Sequence, residues 1–215
     1  MISRTTQSAA FAVLHYKYAT FANYSPRGTS DRSRESRNYC YSIKNGNEHL
    51  IESAVPYLRN SKADKPFLDT DVTLVPVPRS APLSCGALWP AKTICDVLHK
   101  QGFGQDVQTY LTRIKAVQPS RLSAERPLVQ AHMDSIKVRG GLLAPSKITI
   151  VDDVLTKGRT SVACATLLQA FYPDAKIRIF AMIRTQSFKD DIEDIVDPAT
   201  GDIVSYPSGK TYRYP

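Results

Sequence analysis

Residues 148–160 constrain the fold of this chain more than any other stretch, because they have the pattern of a buried strand that leads directly into a phosphate-binding turn. Ile148, Ile150 and Val151 form a short apolar run, and two acids and a glycine turn follow before helical spacing begins at Ser161. In open α/β sheets, ligands collect at the carboxyl ends of the strands. We therefore predict a strand, a loop and a helix with a ligand at their junction.

The loop of this unit carries groups that can surround a phosphate. Two hydroxyls, a permissive glycine and two positive charges occur in the run Thr156, Lys157, Gly158, Arg159 and Thr160. The backbone N–H groups that open the next helix also favour an anion. The sequence therefore predicts a phosphate site at these five residues.

Two acids, Asp152 and Asp153, come immediately before that loop. Carboxylates there can accept hydrogen bonds from a sugar diol or help to hold a hydrated cation. The alternative is an exposed acidic pair after a strand, which is a common arrangement.

Length and charge limit what can be built around this unit. With 215 residues and 42% hydrophobic content, the chain can bury one full core, so we expect a single domain over residues 1–215. The formal net charge of +8 makes polyanions the expected partners, either a phosphorylated metabolite or nucleic acid. Charge alone does not choose between the two.

The cysteines, histidines and apolar runs argue against a zinc site and a membrane segment. The four cysteines and four histidines are widely spaced, without a C-x-x-C pair. No run approaches the roughly 20 apolar residues that span a bilayer, and no small-residue cleavage pattern follows the start of the chain. We expect a cytoplasmic protein with no membrane partner.

A second strand with a stiff loop is predicted at residues 72–82. Val-Thr-Leu-Val at 72–75 suits a buried strand, and three prolines stiffen the segment that follows. Arg79 and Ser80 in this loop can offer backbone donors and a hydroxyl to an anion held opposite the two acids. The alternative is a plain proline-rich turn.

The two ends of the chain lie outside this core pattern. Residues 11–21 are rich in aromatic and β-branched residues, which predicts one or two edge strands. Residues 25–37 have no apolar residue except Pro26, which predicts a mobile loop, either a solvated insertion or a basic flap over a phosphate or nucleic acid. The tail at 203–215 carries three tyrosines that suit either stacking on a base or packing of the tail.

The run 148–160 resembles the phosphoribosyl pyrophosphate signature of type I phosphoribosyltransferases, which is four mostly apolar residues, two acids, two apolar residues and Thr-Thr-Gly-x-Thr. Thr149 stands at a usually apolar position, and Lys157 replaces the second hydroxyl of the loop. The Val-Pro-Val-Pro run at 75–78 is similar to that of the ComF-like (competence protein F-like) branch. The arrangement of Arg113, Gln118, Leu122 and Arg126 in the basic segment that follows is also similar to that branch.

The resemblance covers about residues 70–185 and implies a fold. That fold is α/β, with a parallel twisted sheet flanked by helices and a small variable hood. Residues 1–40 and 186–215 are the candidates for the hood or tail.

The resemblance also implies a role for each part of the site. Asp152 and Asp153 would hold the ribose 2- and 3-hydroxyls and reach magnesium indirectly, through the ligand or water, while residues 156–160 wrap the 5-phosphate. Arg79 and Ser80 would receive the pyrophosphate. Arg113 and Lys115 would face it from a mobile flap at 113–126 that excludes water; the alternative is an ordinary exposed basic loop.

The implied activity is that of a phosphoribosyltransferase in nucleotide metabolism. A nitrogen nucleophile, such as a nucleobase, would attack C1 of phosphoribosyl pyrophosphate, and magnesium pyrophosphate would leave. The rival is a regulatory, DNA-uptake or defence protein that binds this ligand without turnover and binds nucleic acid through basic residues in 25–37 or 113–126. A homodimer is a further expectation.

Overall fold

The protein is an α/β fold built on one seven-stranded sheet. The computed structural model describes residues 13–117, 127–141, 144–186 and 189–215. The main sheet has the order β3-β2-β6-β7-β1-β8-β9, and β4 pairs with β5 separately. The strands are β1 (Leu14–Tyr24), β2 (Thr73–Pro76), β3 (Asp106–Val107), β4 (Leu111–Arg113), β5 (Ile136–Val138), β6 (Lys147–Leu155), β7 (Lys176–Thr185), β8 (Val196–Ser205) and β9 (Thr211–Tyr214). The helices are α1 (Asp31–Lys44), α2 (Glu48–Asn60), α3 (Lys65–Leu68), α4 (Pro90–Lys100), α5 (Val129–Met133) and α6 (Arg159–Phe171).

The main sheet is mostly, not wholly, parallel. Neighbouring strands from β3 through β2, β6 and β7 to β1 are parallel, whereas β8 and β9 join antiparallel. The predicted α/β class is confirmed, and the predicted parallel sheet is confirmed from β3 to β1 but not at β8 and β9. The reason is length, because residues 186–195 between β7 and β8 are too few for the crossover of a dozen or more residues that parallel strands need.

Helices cover both faces of the sheet, and β6 contributes to both cores. Ile148 and Ile150 pack with α6 and the small β4-β5 sheet. Val151 packs with α1, α2 and α4 on the other face. Because strand side chains alternate between faces, the burial of all four residues at 148–151 shows a strand covered on both sides.

The prediction of edge strands near the N-terminus is wrong. β1 lies inside the sheet, parallel to β7 on one side and antiparallel to β8 on the other. Ala19, Phe21 and Ala22 are almost completely buried. The strand was predicted correctly from its aromatic and β-branched residues, but composition alone does not reveal how many neighbours a strand has.

The predicted mobile loop at 25–37 is also wrong from residue 31 onward, where α1 begins. Ser30 caps the helix by accepting a hydrogen bond from the Ser33 backbone N–H. The buried face of this first part is made of serines, and the Ser33 hydroxyl donates to Asp191 at 2.9 Å. A helix face without apolar residues gives no hydrophobic period, so the sequence pattern missed it.

The C-terminal segment assigned to a candidate hood or tail extends the main sheet. Residues 196–214 form β8 and β9, and residues 14–24 of the N-terminal candidate form β1. Ile203 in β8 is fully buried against the same core as α6. In the part of the chain that is described, every helix is too short or too polar to span a bilayer.

Candidate functional site

The site lies at the ends of two neighbouring parallel strands whose following helices pack on opposite faces of the sheet. β2 and β6 are parallel neighbours, but α4 leaves β2 toward one face and α6 leaves β6 toward the other. Their pairing ends at Pro76 and Val151, and the Val77 N–H then donates to the Val151 carbonyl at 2.8 Å. Beyond this point the two chains separate at the carboxyl ends of the strands, which is where open α/β sheets bind ligands.

A polar cavity of about 90 Å³ opens beside this point. Since roughly 10–15 Å³ suffices for one water molecule, the cavity has room for a larger group such as a phosphate. Its lining is His132, Asp152, Val154, Thr156, Lys157, Gly158, Arg159, Thr160 and Ser161. All five residues of the predicted phosphate loop are therefore brought together around one space.

The cavity lies at the N-terminus of α6, and Gly158 makes the turn that enters it. Gly158 has φ +72°, and no side chain caps the helix. A Cβ atom at this position would lie 2.8 Å from Ile203 Cδ1. The backbone N–H groups of an uncapped first turn and the helix dipole both favour an anion, so this geometry suits phosphate.

Asp152 forms the floor between the strand and the helix. Its side chain is 8% exposed and accepts a 2.9 Å hydrogen bond from the Ser161 hydroxyl and another from the Asp153 N–H. Burial, and then the charge of Asp153, raise the pKa of this carboxyl. Burial therefore favours the protonated form of this carboxyl, and a cation brought by a ligand would favour its ionised form instead.

Asp153 points to the other face of β6, as strand alternation requires. Its carboxylate accepts a hydrogen bond from Lys44 Nζ at 2.7 Å. Burial alone would raise the pKa of Asp153, but Lys44 and the hydrogen bonds to the carboxylate lower it. The two acids are adjacent in sequence, but only Asp152 lines the cavity.

A buried histidine closes the cavity from α5. His132 is 7% exposed, and its Nδ1 lies 3.4 Å from the Thr160 hydroxyl. Burial, with Arg113 and Arg159 nearby, lowers the pKa of His132 to about 4. The imidazole is therefore neutral at neutral pH.

Arg79 and Ser80 are exposed on the loop after β2, at the same edge of the sheet as the cavity. The Ser80 carbonyl accepts from the Val117 N–H at 2.8 Å. Neither side chain lines the cavity. Both residues lie beside the ends of β2 and β6, where these strands separate. Their role in anion binding stays a prediction.

Arg113, but not Lys115, differs from the sequence expectation of two exposed flap cations. Arg113 ends β4 and is 4% exposed, donating to the Arg79 carbonyl at 2.8 Å and to Ser135. Lys115 is exposed. Arg113 is buried because its guanidinium connects the loop after β2 to the turn after α5. The rest of the expected flap, residues 118–126, lies outside the described residues.

Sequence reasoning missed three residues that complete the site. Ser161 could have been found, because it lies in the first turn of the predicted helix. His132 has no local signal, since α5 is only five residues long. Lys44 lies more than one hundred positions from Asp153 and reaches it only through the fold.

No protein-family model matches this chain, and a search of curated proteins finds no match either. The resemblance therefore depends on the motif at 148–160, the loop after β2 and the basic segment at 113–126. The first two meet at one edge of the sheet.

Proposed function

We propose that the protein is a type I phosphoribosyltransferase, which binds phosphoribosyl pyrophosphate with magnesium and transfers ribose 5-phosphate to a nitrogen nucleophile. The observation that carries this proposal is the polar cavity of residues 156–160 at the uncapped N-terminus of α6, with Asp152 at its floor. It lies beside the point where β2 and β6 separate. A nucleobase or a related compound is the proposed nucleophile.

Each part of the ligand has a proposed partner. The 5-phosphate occupies the cavity, where it accepts from backbone N–H groups, including that of Thr160, and from the Thr156 hydroxyl. The ribose hydroxyls lie against Asp152 and, beyond Val151 where β6 no longer pairs with β2, against Asp153. The pyrophosphate extends toward the loop that carries Arg79 and Ser80, with Lys115 on the neighbouring segment.

The residues of the site fit a magnesium ion that arrives with the ligand. Among the described residues, no cluster of three or more acidic, histidine or cysteine side chains could hold a metal directly. Magnesium commonly uses one or two carboxylates, substrate phosphates and water, which Asp152 and Asp153 can supply from the protein side. When bound, the ion neutralises charge on the pyrophosphate leaving group.

The contribution of the protein to the reaction is mainly positional and electrostatic. Breaking the bond at C1 produces positive charge on the ribose and negative charge on the pyrophosphate. Fixing the phosphate and the ribose hydroxyls orients C1 toward the nucleophile. Asp152 and Asp153 face the ribose, and the cations face the leaving group, which matches the charge that develops.

The direct test of the proposed reaction is pyrophosphate release in the presence of phosphoribosyl pyrophosphate, magnesium and a panel of nucleobases. We expect release with one class of nucleophile and a product mass equal to the nucleophile plus ribose 5-phosphate minus water. Binding of the ligand without any product from the panel or from water would favour the regulatory alternative.

Asp153→Asn tests the ribose role of the acid held by Lys44. We expect about 10-fold weaker binding of phosphoribosyl pyrophosphate or more, because a neutral amide replaces a charged acceptor of hydroxyl hydrogen bonds. Calorimetry at constant salt measures this. Asp96→Asn is the matched control, because Asp96 also pairs with a lysine, Lys92, but on the remote helix α4. Equal affinity of folded Asp153→Asn and wild type would remove Asp153 from the site.

The nucleic-acid alternative receives less support from residues 25–37. Three of the four arginines there lie within salt-bridge distance of an acid: Arg27 with Asp190, Arg32 with Glu35 and Arg34 with Asp31. Arg37 donates to the Ser25 and Gly28 carbonyls. These partners compete with phosphates for the guanidinium groups of the four arginines.

A further inference from the structure

His132 is a nearly buried polar side chain that faces the cavity without a complete set of partners. Its Nδ1 lies 3.4 Å from Thr160 Oγ1, and no other described residue forms a hydrogen bond with the imidazole. The side chain is 93% buried, because α5 packs against α6. The remaining nitrogen, Nε2, is not one of the buried atoms that lack a partner, so it is accessible from the cavity that His132 lines and can meet a ligand there.

We propose that His132 selects a phosphate monoester, by donating from Nε2–H to a phosphoryl oxygen while the Thr160 hydroxyl donates to Nδ1. This inference deepens the proposed function, because it assigns His132 to the subsite of the 5-phosphate. It makes His132 a specificity residue that no part of the phosphate loop motif predicts.

The surroundings of His132 favour the neutral imidazole that this role requires. Arg113 on β4 and Arg159 on α6 oppose a charged imidazole, and Lys157 also lines the cavity. Asp152 lines it too, but its carboxyl accepts from Ser161 and the Asp153 N–H. A neutral imidazole that accepts at Nδ1 must carry its proton on Nε2.

Hydrogen bonds to carbonyl groups fix the backbone at and before His132. The His132 carbonyl accepts from the Ser135 hydroxyl at 2.8 Å and from Arg113 at 3.5 Å. Arg159 in turn donates to the Pro127 carbonyl at 3.1 Å, which connects the start of α6 to the segment before α5. The backbone that carries the imidazole is therefore ordered before the anion arrives, which lowers the entropy cost of binding.

The test compares ribose 5-phosphate and ribose binding to wild type, His132→Leu and His132→Gln by calorimetry. We expect His132→Leu to bind ribose 5-phosphate about 10-fold more weakly or worse, because a hydrogen bond to a charged group is lost. His132→Gln keeps an amide N–H near the position of Nε2 and should stay within about 3-fold of wild type. His49→Leu, an exposed histidine on α2, is the matched control and should bind as wild type does.

Proton uptake tests whether the imidazole that donates to the phosphate is neutral. Calorimetry at pH 7.5 in buffers of different ionisation enthalpy should give the same number of protons taken up by wild type and His132→Gln. An additional proton in wild type would overturn the neutral donor, and equal ribose 5-phosphate affinity of folded His132→Leu and wild type would overturn the role of His132. If wild type does not bind ribose 5-phosphate, the phosphate site of the proposed function fails as well. If it binds but releases no pyrophosphate from the full ligand, transfer fails and the role of His132 stands.

Discussion

Gly158→Val is expected to remove ribose 5-phosphate binding and to lower the melting temperature by about 5–15 °C. The residue has φ +72°, where a β-branched side chain is strained, and the added Cβ would lie 2.8 Å from Ile203 Cδ1. Together these effects cost about 2–4 kcal/mol, and each kcal/mol lowers the melting temperature of a domain this size by roughly 2–4 °C. The turn that directs the N–H groups of α6 into the cavity cannot keep its geometry.

Gly102→Val is the control that shows the effect of backbone strain without damage to the site. Gly102 has φ +86°, but nothing lies within 4 Å of its added Cβ, and the residue follows α4 on another part of the sheet. This control should lower the melting temperature less and leave ribose 5-phosphate affinity unchanged. Wild-type affinity in Gly158→Val, measured by calorimetry on folded protein, would contradict the placement of the phosphate at this turn.

Arg113→Ala is expected to lower the free energy of unfolding by about 2–4 kcal/mol, mainly as a loss of stability. The substitution removes a buried stem and the donors to the Arg79 carbonyl and Ser135. Lys115→Ala, two residues away but exposed, should change it by no more than about 0.5 kcal/mol.

Urea unfolding with a common slope measures both variants. Arg113 and Lys115 are cations of the same basic stretch, so we attribute the expected difference in stability to the burial of Arg113. A stable Arg113→Ala protein with reduced turnover would instead support the flap role that the sequence implied for this residue.

The central unit could be predicted from sequence because its signals are local. The apolar run before Asp152, the glycine turn at 158 and the helical spacing after Ser161 lie within one continuous stretch. The structure begins α6 at Arg159, two residues earlier than the spacing alone indicated. The apolar spacing that indicates a helix begins only at the first residue that packs on the core. The first turn of a helix is therefore often missed from sequence.

The errors come from contacts between distant parts of the chain. β1 acquires its second neighbour from β8, whose residues are more than 170 positions away. Serines in α1 become a buried face only because Asp191 accepts from Ser33. Neither pairing has a signal within a short window, so local periodicity could not place these elements.

The two acids illustrate a limit of motif reasoning. A motif gives their order, but the strand continues to Leu155, and alternation therefore sends Asp152 toward α6 and Asp153 toward Lys44. The sequence also gave no reason to include His132. To predict which acid lines the site, one must know where the strand ends, because the strand decides which face each residue occupies.

Thermal unfolding with ligand tests the central claim that the cavity and the adjoining edge of the sheet bind phosphoribosyl pyrophosphate. A ligand that binds only the folded state adds about 2.7 kcal/mol at 100 times its Kd, which corresponds to a rise in melting temperature of about 5–10 °C for this domain. We expect that rise with phosphoribosyl pyrophosphate and magnesium, a smaller rise with ribose 5-phosphate, and none with ribose or with either ligand on Gly158→Val. No rise with millimolar phosphoribosyl pyrophosphate and magnesium, in protein that an unrelated polyanion does stabilise, would contradict the claim.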